Sequence, residues 1–337
     1  MDLRLNPPEE APGRSYETKA LPAGVRENFS FENTLVLGME HGEACGGLSP
    51  HLVFAVGPQG EIVVLDRDRK KLCRFSPEGG LVWSTGKRGE GPGEFRYPMG
   101  VFVTPQGRVW VLDHGGVVHE FSPEGEFRRD IFVDFTAGEF YFTEDERVLA
   151  TLFSRGACRI RAAFYDLDLE FISAFPFEYE YQCGPGPGRG WRMEYGKVTL
   201  CGRRVLFALP DKYEVLVFNY DGDLLLKVKR EVEFHPTRFE NSGGGAFALI
   251  PGDHIGPAFY VKGGKYAVQF KTLRGKFYEP RIDLYDNRGR FLASRTLLPY
   301  SSLRWVDKEG NFYFLQTQPA VKIYRAKLRF FQGTSGP

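Results

Sequence analysis

Histidine, cysteine and a set of Arg, Tyr and Trp residues in polar segments are the groups through which this chain could act on another molecule. Of six histidines, His41, His51, His114, His235 and His254 fall in segments that read as loops, and His119 lies in an alternating apolar run. Histidines gathered at one end of a fold would suit zinc binding or acid–base chemistry. No H-x-H, H-E-x-x-H or Cys–His pair at ligand spacing occurs, so the pattern names no metal centre. His51, which follows Pro50 at the mouth of a strand, is the single metal candidate. The five cysteines (45, 73, 158, 183 and 201) are odd in number and lack metal-ligand spacing, so at least one thiol is free. Cys73 and Cys201 sit in expected strands and read as small buried hydrophobes, which favours a reducing compartment. No glycine pattern of the phosphate-cradling kind stands between a strand and a helix.

The remaining candidates are contact residues. Arg96, Tyr97, His114, Arg155, Trp191, Arg192, Tyr213, His254 and Tyr300 lie in segments expected to share one face, together with Lys212 and Gln318. Arg, Tyr and Trp combine contact area with a polar tip, which is why they dominate binding hot spots. Two long segments, 175–196 and 231–257, carry several of these groups. Connections of that length are uncommon unless they serve a function or are disordered. They are expected to converge, bringing Trp191 and Arg192 near 239–241 or His254.

A repeat shows what must position these residues. The stretch HLVFAVGPQGEIVVLD after Pro50 returns as MGVFVTPQGRVWVLD after Pro98. Gly60 maps to Gly107 and Asp66 to Asp113, each 47 residues on, and Ser-Pro-Glu-Gly at 76–79 returns at 122–125. A period in the forties made of short strands and turns is that of a β-propeller blade. One blade cannot bury both faces of its small sheet, so the repeat predicts a closed ring. First hairpins recur with turns near Gly60, Gly107, Asp145, Gly202, Gly263–Gly264 and Gly310, which counts six blades. The last blade lacks an obvious fourth strand. Pairing residues 34–38 into it would close the ring and leave no sheet edge where the termini meet; Leu328-Arg-Phe-Phe is the alternative occupant. The expected fold is therefore all-β: a six-bladed propeller of four-stranded antiparallel blades, closed by an N-terminal strand. Residues 1–30 form an irregular lead-in, 31–331 the propeller and 332–337 a tail. Phe75, Trp110, Val111 and Phe121 recur in strand register and are expected in the core.

Residues 50–125 resemble NHL repeats and their bacterial six-bladed relatives. The glycine-rich linker Gly91-Pro92-Gly93-Glu94-Phe95 is followed by Pro98, Gly107, Val109, Val111, Asp113, Val118 and Phe121 at the family's spacing. One departure is His-Gly-Gly after Asp113, where the family usually places Asn and Arg. The amidating lyases that resemble this fold hold zinc with channel histidines, a place that only His51 matches. Gluconolactonase-like propellers hold calcium with channel acids, and no acidic residue recurs at the strand starts here. Such motifs mark a fold, and a fold does not imply a function.

Composition limits the partners. A net charge of +1 argues against a general polyanion binder, and the basic runs at 67–71 and 227–230 are interleaved with acids or lie beside them. Aromatic residues make up 15% of the chain, a share expected to fill the wedges between blades. No segment is apolar and long enough to span a membrane, and residues 1–20 lack the apolar core of a signal peptide. The chain reads as cytoplasmic as written, or extracytoplasmic if a leader was removed. The expected function is a monomeric, non-catalytic scaffold that binds a peptide, protein or glycan on its top face, with no cofactor, nucleic acid or membrane insertion. The alternative is a metal-dependent lyase or hydrolase at the channel mouth, with zinc or calcium as its cofactor.

Overall fold

The computed structural model describes residues 28–38, 45, 47–134, 137–153, 159–181, 197–230, 232, 234–235, 238–243, 246–250, 253–274 and 277–331. Six antiparallel sheets follow one another around a ring, each beginning with its innermost strand. Blade one holds β2 (Leu52–Val56), β3 (Ile62–Asp66), β4 (Lys71–Phe75) and β5 (Leu81–Thr85). Blade two holds β6 (Pro98–Val103), β7 (Val109–Asp113), β8 (Val117–Phe121) and β9 (Phe127–Phe132). Blade three runs from β10 (Ala137–Phe142) through β11 (Val148–Phe153) and β12 (Arg159–Tyr165) to β13 (Phe171–Ala174), with β14 (Tyr179–Glu180) added to β12. Blade four runs from β15 (Val198–Cys201) through β16 (Arg204–Ala208) and β17 (Glu214–Phe218) to β18 (Leu224–Lys229). A separate hairpin, β19 (Arg238–Gly243) and β20 (Ala246–Ile250), precedes blade five, which runs from β21 (His254–Val261) through β22 (Lys265–Arg274) and β23 (Phe277–Tyr285) to β24 (Phe291–Thr296).

Blade six is built from both ends of the chain. Its β25 (Ser301–Val306), β26 (Asn311–Gln316) and β27 (Lys322–Phe331) are completed by β1 (Asn28–Leu37), which pairs antiparallel with β27 from Asn28↔Phe331 to Leu37↔Ile323. The N-terminal strand thus closes the ring as expected. Leu328 to Phe331 do not replace it; they extend the third strand so that β1 has a full-length partner. Phe31 packs on Phe312 and Phe314 at 5.0 and 4.9 Å between ring centres, so the closure buries aromatic area as well as satisfying the edge.

The turns on the bottom face share one chemistry. Ser76, Ser122, Asp166, Asn219 and Asp286 each accept a backbone N–H four residues on, which holds the second hairpin of blades one to five. Thr104, Thr143 and Asp307 do the same for first hairpins. Between blades, the core is apolar and aromatic. Phe75, Trp110, Val111 and Phe121 are all at most 1% exposed, as their register predicts. Between blades three and four, Phe164, Phe175, Phe207 and Phe218 form one buried cluster. Cationic side chains stitch neighbours together at the rim: Arg74 of blade one donates to the carbonyls of Gly107 and Pro123 in blade two.

Cys73 is fully buried, yet it is no free hydrophobe: it is bonded to Cys45 just ahead of blade one. Spacing gave no sign of this, because the partner comes from a segment outside the repeat. Cys201 is free, and burial pushes its thiol up to about 12, so it is unreactive at neutral pH.

Candidate functional site at the top of the channel

The linkers entering each blade and the loops between its second and third strands open on the top face. At that end of blades one and two, a carboxylate terminates the second strand. Asp66 accepts from Ser49 N–H and Oγ and from the N–H groups of Asp68 and Arg69, and is ion-paired with Arg69 at 2.9 Å. Asp113 accepts from the N–H groups of Arg96, Tyr97 and His114 at 2.6–2.7 Å. Burial works against both charges, but these donors, joined at Asp113 by the His119 side chain, hold each carboxyl below its usual range. Asp113 thereby fixes the backbone that presents Tyr97 and His114.

Beneath Asp113 lies His119, 7% exposed, with Nδ1 at 2.6 Å from Asp130 and Nε2 at 3.5 Å from Asp113. Burial would lower its pKa, but the two carboxylates outweigh burial and raise it above the ordinary imidazole value.

The inner strands depart from regular pairing where they line the channel. In β10 an extra residue lies between Ala137 and Phe140, and in β25 Arg304 is the extra residue between Leu303 and Trp305. Bulges re-aim side chains, and these two carry Glu139 and Arg304 on opposite blades of the ring. Glu139 accepts from Lys197 Nζ at 3.0 Å and from Tyr141 Oη at 2.7 Å. Burial opposes its charge, but Lys197, Tyr141 and the nearby Arg304 together hold its carboxyl below the usual range. Glu139 and Lys197 remain about one-third and two-fifths exposed. Deeper in, Trp305 of blade six reaches across the axis and lies parallel to Tyr141 of blade three, 6.4 Å between ring centres, while its edge meets Phe259 of blade five. Trp305 packs against core clusters on several sides of the ring. The axial mouth, or vestibule, thus has the Trp305 and Tyr141 rings beside the charged Glu139–Lys197 pair.

Several sequence candidates lie in linkers, loops or strand starts of the same top face. Tyr97 is 60% exposed, with Lys70 Nζ 5.5 Å from its ring and His114 edge-on at 6.0 Å. Arg96 is exposed and pairs with Glu90 at 3.4 Å. Tyr300 is 46% exposed and holds φ +59°, a left-handed conformation that a bulky residue adopts only when its surroundings impose it. His254 is half-buried and hydrogen-bonded through Nε2 to Tyr278 Oη at 2.9 Å.

Tyr213 is a correction. It is 5% exposed and donates to Asp283 at 2.6 Å while accepting from Tyr285 Oη at 2.9 Å; Arg230 completes the network on Asp283 at 2.8 Å. Its ring is part of the wedge between blades four and five, so its polar tip serves the core rather than a ligand. His51 is likewise no inner-channel ligand: its exposed ring pairs with Asp68 at 3.0 Å. Among the described residues no group of three or more His, Cys, Asp and Glu could hold a metal ion. Arg155, Trp191, Arg192 and His41 lie outside the described residues, and with them the expected convergence of the two long linkers. The described start of the first linker turns inward, with Phe175 and Tyr181 buried in the blade three–four cluster. Glu139, Lys197, Arg304 and Trp305 escaped sequence reading because they belong to three different blades and recur nowhere. An acidic or basic residue interrupting an inner-strand apolar pattern was the available signal.

No family model matches the chain. Over 63 residues, 18% of its length, it is 35% identical to NHL repeat-containing protein 3 of Mus musculus. A stretch of 59 residues is 36% identical to the protein of the same name in Homo sapiens. The match thus spans less than one-fifth of either relative's length. Among solved structures, the chain is similar to a member of the DUF4221 family from Bacteroides vulgatus, with a TM-score of 0.62 at 10% identity, covering 91% of this chain and 99% of that one. A protein from Bacteroides fragilis gives a TM-score of 0.53 at 12% identity, covering 94% and 99%. At such identities the likeness shows the fold alone. With six closed blades in hand, the chain is a six-bladed β-propeller that resembles NHL repeats over the matched stretch.

Proposed function

We propose that this propeller is a non-catalytic binding scaffold whose top face holds a peptide, protein or glycan. The observation that carries this reading is the Trp305–Tyr141 stack between opposite blades, with the charged Glu139–Lys197 pair beside it. Arg304 lies near Glu139, and Arg96, Tyr97, His114, His254 and Tyr300 belong to linkers, loops or strand starts of the same top face. Aromatic and charged side chains held on a rigid ring suit recognition of an extended or branched ligand, since little ordering is lost on binding. The Cys45–Cys73 disulfide supports an oxidising compartment, and hence an extracytoplasmic setting.

The test is a display screen of peptides alongside a glycan array, probed with the intact protein and with the Tyr97→Ala/Tyr300→Ala double variant. A ligand class retained by the first and lost by at least tenfold in the second supports the proposal. Elemental analysis of the same preparation addresses the competing metal-dependent lyase or hydrolase. A stoichiometric metal accompanied by bond-cleaving activity would overturn the scaffold reading.

A further inference from the structure

Beyond the vestibule, the outer top rim of blade one forms a cleft of about 390 Å³ lined by Cys45, Arg69, Lys71, Ser84, Gly86, Lys87 and Arg88. Four cations line it: Arg69 from the loop between β3 and β4, Lys71 from the start of β4, and Lys87 and Arg88 from the linker into blade two. In sequence, each run is diluted by neighbouring acids. In space, the acids are largely committed elsewhere. Asp66 is buried and saturated by donors, and Asp68 pairs with His51. Glu94 takes Lys87 at 2.9 Å, and Glu90 takes Arg96. Lys71 and Arg88 have no carboxylate partner among the described residues.

The cations are also held in place before any ligand arrives. Asp66 orients Arg69, whose guanidinium lies over Gly47. The linker is pinned by buried Phe95, which donates its N–H to Lys87 O at 2.8 Å and accepts from Gly89 N–H. Gly86, at φ +86°, is required there: a Cβ would lie 2.4 Å from the Phe95 ring and 2.9 Å from Lys70 O. On the opposite wall, the Cys45–Cys73 bond ties the chain ahead of the blade to β4, the strand that begins with Lys71. A concavity with two cations that have no carboxylate partner among the described residues, two further cations and the Ser84 hydroxyl is suited to a multiply charged oxyanion, which accepts several charge-assisted hydrogen bonds at once.

We propose that this cleft binds a phosphate or sulfate group carried on a larger ligand, since its volume exceeds that of the free ion. The site does not depend on the vestibule: either can fail without the other.

The test is calorimetric titration of the intact protein with glucose 6-phosphate, glucose 6-sulfate and glucose at constant ionic strength. Saturable binding of one or both esters, absent for glucose, is expected. It should weaken at least tenfold in Lys71→Ala/Arg88→Ala and survive in Lys71→Arg/Arg88→Lys. Both variants change rim residues and should melt as the parent does, so a loss confined to the alanine pair reports the site rather than the fold. The phosphate and sulfate arms name the source. Binding by phosphate alone that strengthens as pH rises from 5 to 7 points to a doubly charged phosphoryl group, whose second ionisation lies near pH 6. No saturable heat with either ester, or equal binding by the alanine pair, overturns the proposal.

Discussion

Blades one and two and blades three to six solve the same problem at their top ends in different ways. In the first pair, Asp66 and Asp113 end the second strand and gather backbone donors from the incoming linker. At the corresponding positions the other blades place Leu152, Leu209, Phe270 and Gln316. Only Gln316 keeps a polar role, donating to Gln318 O at 2.7 Å and accepting from Tyr324. Elsewhere aromatic wedges such as Phe207 against Phe175 and Phe177 hold the linker instead. A carboxylate cap dictates the local sequence around it, because its donors must stand at fixed backbone positions. An aromatic wedge tolerates many sequences of similar volume. That difference is why one pair of blades reads as a repeat and the rest do not.

The comparison breaks most visibly in the core. Phe121→Ala in a capped blade and Phe207→Ala in an uncapped one should each cost about 3–5 kcal/mol in denaturant unfolding, because both rings are buried whatever holds the linker above them. A much smaller loss at Phe207 would mean that the uncapped blades are held by something other than their aromatic wedges.

Removal of a cap should cost nearly as much, but only where a cap exists. Asp113→Leu copies the residue found in blade three. It strips the acceptor from three N–H groups and leaves His119 facing Asp130 alone, an expected loss of about 3 kcal/mol with faster hydrogen exchange at Arg96, Tyr97 and His114. Phe270→Leu keeps an apolar residue in blade five and should cost less, about 1 kcal/mol.

Blade two should also carry a pH dependence near neutrality, through His119, and an acid-side one through Asp113. His119 has its pKa raised by folding, so its contribution is complete below the unfolded value near 6.5 and is lost as pH rises through the folded value. Asp113 has its pKa lowered, so its contribution is present above the unfolded value near 3.9 and is lost as pH falls through the folded one. Melting temperature followed from pH 4 to 9 should therefore decline on the alkaline side in the parent, and His119→Gln should flatten that decline. An unchanged slope would remove His119 from the account.

How much was legible follows the same line. Strand alternation and turn residues repeat in every blade because hairpin geometry demands them, so the ring, the six blades and the N-terminal closure could be read. Tyr213 was misjudged because a polar-tipped ring in a loop looks the same whether its hydroxyl faces solvent or a buried Asp283. The Glu139–Lys197–Arg304 wall was invisible because it is assembled across the axis, from residues about 60 and 100 positions apart, and no local pattern marks such a meeting.

The central claim, that this face and its axial mouth are where a partner binds, is tested most directly by hydrogen-exchange and hydroxyl-radical footprinting with the strongest peptide or glycan from the screen. The account predicts protection concentrated at Arg96, Tyr97, Tyr141, Lys197, Tyr300 and Trp305, with the bottom-face turns at 76–80 and 122–126 unchanged. Protection confined to those turns or to the outer strands, with the vestibule residues untouched, would contradict it.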